Sequence, residues 1–144
     1  MEATYVGFTQ AKSGLSGLFD ELERGHGARA VERRKSPAIA LTGRDDLLEL
    51  LGEKAPFSTK MSRAEDGTVS VWLNELDIYG RGASIAEAVQ DLLDEVDDYV
   101  ADWEATLHDA PNHRSRGWWV RRVQLAKDRD ELQQMLFPSP VAPA

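Results

Sequence analysis

A chain of 144 residues has room for one ordinary domain or two very small ones, and 42% apolar content suffices for a packed core, which excludes disorder over most of its length. The absence of cysteine excludes a disulfide framework and any thiolate metal site. No apolar run approaches the roughly 18 residues of a membrane span, and the opening Met1-Glu2-Ala3-Thr4 lacks the basic and apolar regions of a signal peptide, so a cytoplasmic protein is expected. The net charge of −8 is unevenly placed: residues 1–54 hold 8 Lys or Arg against 9 Asp or Glu, and residues 55–144 hold 9 against 16. The first part can approach a polyanion if its cations share one edge, whereas the second is repelled by nucleic acid and attracted to a basic partner.

Thr4 to Phe8 reads as a short strand, and Thr9 is placed to cap a helix reaching Arg24, where Gly25 stops it. Ala11, Leu15, Leu18, Phe19 and Leu22 fall on one face of that helix. Gly14 and Gly17 each cost it roughly 1 kcal/mol relative to Ala, so it leans on tertiary packing or on a partner chain. A hairpin follows, with strands over 28–34 and 37–42 and Pro37 opening the second, around the basic tip Arg33-Arg34-Lys35. The tip either seeks an anion or merely keeps a strand end soluble. Arg44-Asp45-Asp46 opens a second short helix, closed by Gly52. So small a βαββα unit buries too little surface to stand alone, and a homodimer is the natural remedy.

The run Thr9-Gln10-Ala11-Lys12-Ser13-Gly14-Leu15-Ser16, then Phe19, Gly25, Val31-Glu32-Arg33-Arg34, Pro37-Ala38 and Leu41, resembles the prevent-host-death (Phd/YefM) antitoxin domain over residues 4–51. The resemblance implies a dimer that grips operator DNA through cations at the start of the first helix and beside the hairpin. Lys12 and Arg33 match the family's basic positions, with Arg34 and Lys35 adjacent. Phosphate contact is the role so implied; ion pairing with Asp20, Glu21 or Glu32 is the alternative. Lys35 departs from the pattern, because the family commonly has Gly near this point of the turn, where φ > 0 is tolerated at no steric cost.

Residues 53–56 read as a short linker. Residues 57–63 and 68–73 form a second hairpin around Asp66-Gly67, and residues 76–79 add a third brief strand. Glu65, Asp66, Glu75 and Asp77 lack the fixed spacing of a catalytic carboxylate pair and serve turns and solvent. Ser84-Ile85-Ala86-Glu87 is a capping box that opens a long helix over 84–107. Ile85, Val89, Leu92, Val96, Tyr99, Trp103 and Leu107 form its apolar stripe, and Asp91, Asp94, Glu95, Asp98, Asp102 and Glu104 lie opposite. Repulsion among those acids costs a few tenths of a kcal/mol per pair unless a basic group lies close.

The hairpin and the stretch Tyr79-Gly80-Arg81-Gly82-Ala83-Ser84-Ile85-Ala86-Glu87-Ala88 resemble HicB-type antitoxins over residues 57–107. That resemblance implies a domain that sequesters a basic, messenger-RNA-cutting toxin, for which Asp91, Asp94, Glu95, Asp98 and Asp102 are the candidate contacts.

His108 and His113 do not share a helical face and suit capping or turn hydrogen bonds better than zinc. Arg114, Arg116, Trp118, Trp119, Arg121 and Arg122 have a composition that suits stacking on single-stranded RNA, but Trp119, Val120 and Val123 on one face favour packing inside the domain. Asp128 caps a last helix with Leu132, Met135 and Leu136 on one side, and residues 138–144 form a disordered tail. The expectation is an α+β protein of two modules, residues 1–54 and 55–137. The two resemblances imply a type II antitoxin, not an enzyme, with operator DNA, a basic ribonuclease-type toxin and its own copies (a homodimer or higher homo-oligomer) as partners, and with no metal or cofactor. An orphan DNA-binding regulator and a single-stranded RNA-binding module are the alternatives.

Overall fold

The computed structural model describes residues 5–138. The chain divides into two compact units, Met1–Leu50 and Leu51–Ala144. The division falls inside a helix rather than after Lys54.

In the first unit β1 (Tyr5–Gly7), α1 (Phe8–Ser13), α2 (Leu15–Gly25), β2 (Ala28–Glu32) and β3 (Ile39–Thr42) precede α3 (Arg44–Lys54). β2 is central, parallel to β1 with Val6 facing Val31, and antiparallel to β3 with Ala30 facing Ala40. The single helix expected from Thr9 is instead two. Gly14, at φ −111° and ψ 27°, breaks the axis. Gly14 keeps its own hydrogen bonds: its N–H donates to Gln10 O (3.0 Å) and its C=O accepts from Leu18 N–H (3.0 Å). Thr9 is not the cap: it lies inside α1, which starts at Phe8 behind Gly7, two residues earlier than a Thr9 cap requires and without a side-chain cap. Gly25 is still helical, and the turn past it is made by His26 in the left-handed region (φ 48°, ψ 36°), its ring 3.2 Å from Asp46.

The core of this unit is small. Ala11, Leu18 and Leu22 are buried, with Val6, Val31 and Leu41 packed against them. Leu15 and Phe19, expected on the same buried face, are 47% and 51% exposed. The hairpin strands are shorter than the apolar pattern predicts, and Pro37 lies in the turn, which Ser36 N–H closes onto Arg33 O (3.1 Å). Lys35 takes φ 64°, so a lysine holds the left-handed position that glycine would fill without strain, at about 1–2 kcal/mol.

α3 does not stop at Gly52. It continues to Lys54 because Leu51 (2% exposed) and Ala55 (0%) are buried, and that burial outweighs the roughly 1 kcal/mol a helical glycine costs. Residues 55 and 56 are likewise no free linker: Ala55 O accepts from Arg122 (2.8 Å) and Pro56 O from Trp119 Nε1 (2.8 Å).

The second unit is an antiparallel sheet, β4 (Thr59–Arg63), β5 (Val69–Leu73) and β6 (Ile78–Gly82), with α4 (Ile85–Ala105), α5 (Gly117–Gln124) and α6 (Arg129–Leu136). Two short 3₁₀ turns, Leu107–Asp109 and Arg114–Arg116, join α4 to α5. The Asp66-Gly67 turn is present, with Gly67 at φ 90° and the Asp66 carboxylate accepting from Thr68 N–H (2.9 Å). That backbone hydrogen bond holds Asp66 below its usual pKa of 3.8. The third strand begins two residues later than expected, because Leu76 is buried and Asp77, at φ 52°, turns the chain first.

The capping box forms at the start of α4. Ser84 Oγ accepts from Glu87 N–H (3.2 Å), and Glu87 reaches back to Ala83 N–H (2.8 Å), one residue before the cap. Val89, Leu92, Val96 and Tyr99 are buried as the periodicity predicts, joined by Ala88 and Leu93, whereas Ile85 is 48% exposed. β6 lies so close to α4 that a Cβ built on Gly80 or Gly82 would come within 3.0 Å of the helix backbone, which is the physical reason for the glycines of the Tyr79–Gly82 stretch. Val69, Val71, Leu73 and Leu76 complete this core with Val120, Val123, Leu132 and Leu136.

Candidate functional site

Lys12 leaves α1 and Arg33 leaves the end of the hairpin, yet both line one open groove of about 480 Å³ in the first unit. The groove floor is apolar, made by Phe8, Ala11, Leu15, Val31, Pro37, Ile39 and Leu41. Phe8, Leu15 and Ile39 are 46%, 47% and 66% exposed. Lys12 and Arg33 rim this open apolar surface with charge. Arg33 stacks its guanidinium over the Phe8 ring at 5.4 Å from the centroid, which pins a flexible cation in place. Arg34 and Lys35 stand exposed at the turn. The ion pairing considered for these cations is absent among the described residues: Glu21 is 3.6 Å from Arg29 instead. Phe8 and Ile39 were invisible as surface residues in the sequence, where an apolar residue beside a strand reads as core.

In the second unit the acids of α4 divide into two sets. Asp91 accepts from Arg81 N–H (2.8 Å), and Arg129 of α6 pairs with Asp94 (2.7 Å) and Asp97 (3.3 Å) while donating to Gln90 O (2.9 Å). Glu95, Asp98 and Asp102 are exposed and have no partner among the described residues. Spaced three and four apart, they share one helical face and repel one another in the isolated unit.

The Arg- and Trp-rich stretch is used internally. Arg116 donates to Leu76 O (2.9 Å) and to Tyr99 OH (3.3 Å), and Tyr99 OH meets His113 Nδ1 (2.9 Å). Arg122 lies over Phe57 at 4.9 Å and holds Ala55 O; burial lowers its pKa below the ordinary guanidinium value. Only Trp118, 55% exposed under Arg121, keeps an open ring. His108 Nδ1 meets Trp103 O (2.8 Å). Among the described residues no group of three or more His, Cys, Asp or Glu could hold a metal ion, and no helix is long and apolar enough to cross a membrane.

A family model described as PHD-like, antitoxin of toxin–antitoxin, RelE/RelB, TA system, matches residues 1–137. The chain belongs to this PHD-like antitoxin family. An antitoxin from Syntrophomonas wolfei subsp. wolfei, part of a proposed toxin/antitoxin system, has a similar fold: TM-score 0.70 at 20% identity, covering 94% of this chain and 96% of that one. No curated protein matches. The PHD-like antitoxin thus combines a cation-rimmed apolar groove in one unit with an acidic helix face in the other.

Proposed function

We propose that this antitoxin works as a type II system component with two modules. The first unit, in a Phd/YefM-like arrangement, pairs with a second copy through the apolar groove and presents Lys12, Arg33, Arg34 and Lys35 to operator DNA for autorepression. The second unit, HicB-like in its sheet and helix, covers a basic ribonuclease-type toxin, held through the α4 face that carries Asp91, Asp94, Glu95, Asp98 and Asp102. Steering by opposite charge speeds that encounter, and occlusion of the toxin's RNA-binding surface requires no chemistry from this chain.

The observation that carries this reading is the convergence of Lys12 and Arg33 on one groove whose apolar floor is open. Two copies joined there bring four such cations onto one assembly, and each phosphate neutralised releases counterions. Glu95, Asp98 and Asp102, which lack partners among the described residues, are the strongest of the toxin contacts, because Asp94 already has Arg129.

Lys12→Ala with Arg33→Ala tests the DNA half by mobility shift over a salt series. Binding weakens and the slope of log K against log[salt] becomes shallower by roughly 1 or more per phosphate contact removed, while circular dichroism stays unchanged. Unaltered affinity and slope would remove DNA binding from the function.

A further inference from the structure

Among the described residues β4 is a free edge of the second sheet, and its main-chain groups can be assigned one residue at a time. Thr59 faces Leu73 and Arg63 faces Val69 across the ladder with β5. Just beyond its ends, Asn74 N–H donates to Ser58 O (3.1 Å) and Ala64 N–H to Thr68 O (2.9 Å). Hydrogen-bonded and non-bonded pairs alternate in an antiparallel ladder. Lys60 and Ser62 therefore direct their N–H and C=O groups to β5, and Thr59, Met61 and Arg63 direct theirs out of the sheet.

Natural edges are usually blunted by proline, bulges or charges. β4 contains no proline, and its pairing with β5 is regular along all five residues. Its Lys60 ammonium is drawn back over the Trp72 ring, 5.3 Å from the centroid. Lys60 to Arg63 are exposed. α4 packs on β6 and β5, and Met61, on the same face of the sheet as buried Val71, is left 50% exposed.

We infer that β4 pairs, antiparallel and centred on Met61, with β4 of a second copy of this chain. The strand is complementary to itself in that register: Met61 meets the partner's Met61, Lys60 meets the partner's Ser62, and Arg63 meets the partner's Thr59. Each cation faces a hydroxyl, and the outward groups of three residues per copy make about six main-chain hydrogen bonds. Centring on Lys60 would oppose like charges, and centring on Ser62 would use fewer of the five residues. The product is a continuous six-stranded sheet in which both Met61 side chains meet on the α4 side of the sheet, along the edge that α4 does not cover. This surface is separate from the groove of the first unit. Only if that groove also pairs, as in the function proposed above, do the two contacts together link dimers into larger assemblies.

The chain has no cysteine, so Met61→Cys in the full-length protein introduces a single thiol. At a hydrogen-bonded pair the two Cα atoms lie about 5.5 Å apart, within disulfide reach. A Lys60→Cys pair lies roughly 8 Å apart and outside it. Mild oxidation is expected to convert most of the Met61→Cys protein to a reducible covalent dimer and little of the Lys60→Cys protein. Equal crosslinking of the two variants overturns the inference. So does a Met61→Cys protein that stays single-chain while its thiol reacts with a maleimide, which would leave the edge to a strand of another protein. By sedimentation equilibrium, Ser62→Glu tightens and Ser62→Lys loosens self-association, each by about threefold or more, through the partner's Lys60; a shift of both in one direction overturns the register. None of these variants touches Lys12 or Arg33, so this test and the operator-binding test fail independently.

Discussion

Replacing Gly80 with alanine puts one methyl group where β6 meets α4. The new Cβ would lie under 3.0 Å from Ala88 O, Leu92 N and Leu92 Cα, all of them helix backbone, so no rotamer change can relieve the clash. α4 must move outward by about 1 Å, a gap that forfeits a quarter to a half of each van der Waals well along the contact. That contact includes Val69, Val71, Leu73, Leu92, Leu93 and Val96, all at 0–1% exposure. Overpacking of this kind costs about 1–3 kcal/mol or more, and the loss of backbone freedom in the unfolded chain returns about 0.4–1 kcal/mol. A net destabilisation of about 2 kcal/mol is expected, equivalent to roughly 10 °C in the melting temperature of a domain this size. All four tryptophans, Trp72, Trp103, Trp118 and Trp119, lie in the second unit, so their fluorescence during urea unfolding reports on that unit. Gly52→Ala is the control, because its Cβ meets nothing within 4 Å and a helical Gly→Ala change stabilises by up to about 1 kcal/mol. A Gly80→Ala protein as stable as wild type would refute the close-approach argument.

Two further predictions concern turns. Asp66 has its pKa lowered by the Thr68 N–H; a carboxyl depressed in the folded state adds stability above its unfolded pKa and loses it as pH falls through the folded value. Asp66→Ala is therefore less stable than wild type at neutral pH, and the difference shrinks as the pH drops below 3.8; equal urea midpoints for the two proteins at pH 7 would contradict this. Lys35 sits at φ 64°, so Lys35→Gly should stabilise the first unit by roughly 0.5–1 kcal/mol. Far-UV circular dichroism measures this on denaturation, and a loss of stability would show that the lysine side chain contributes more than its backbone strain removes.

The charge asymmetry, the α+β content, the Asp66-Gly67 turn and α4 with its Ser84 cap were legible because each is a local signal. A period sustained over several turns and a cap that acts across three residues need no information from elsewhere in the chain. Arg129 as the partner of Asp94 and Asp97 was not legible, since 35 and 32 residues separate them.

From its residues alone the chain declares two modules of different charge, cations at Lys12 and Arg33 and an acidic helix. What only the tertiary structure decided was where elements end and which apolar residues stay in the open. Gly52 reads as a stop, yet burial of Leu51 and Ala55 carries the helix past it; Leu15 and Phe19 read as core, yet the first unit has too few layers to cover them. The physical reason is the same in both cases. Local preferences amount to about 1 kcal/mol per residue, and burying or exposing a large side chain is worth about 1.5–3 kcal/mol, so packing between distant segments overrides them.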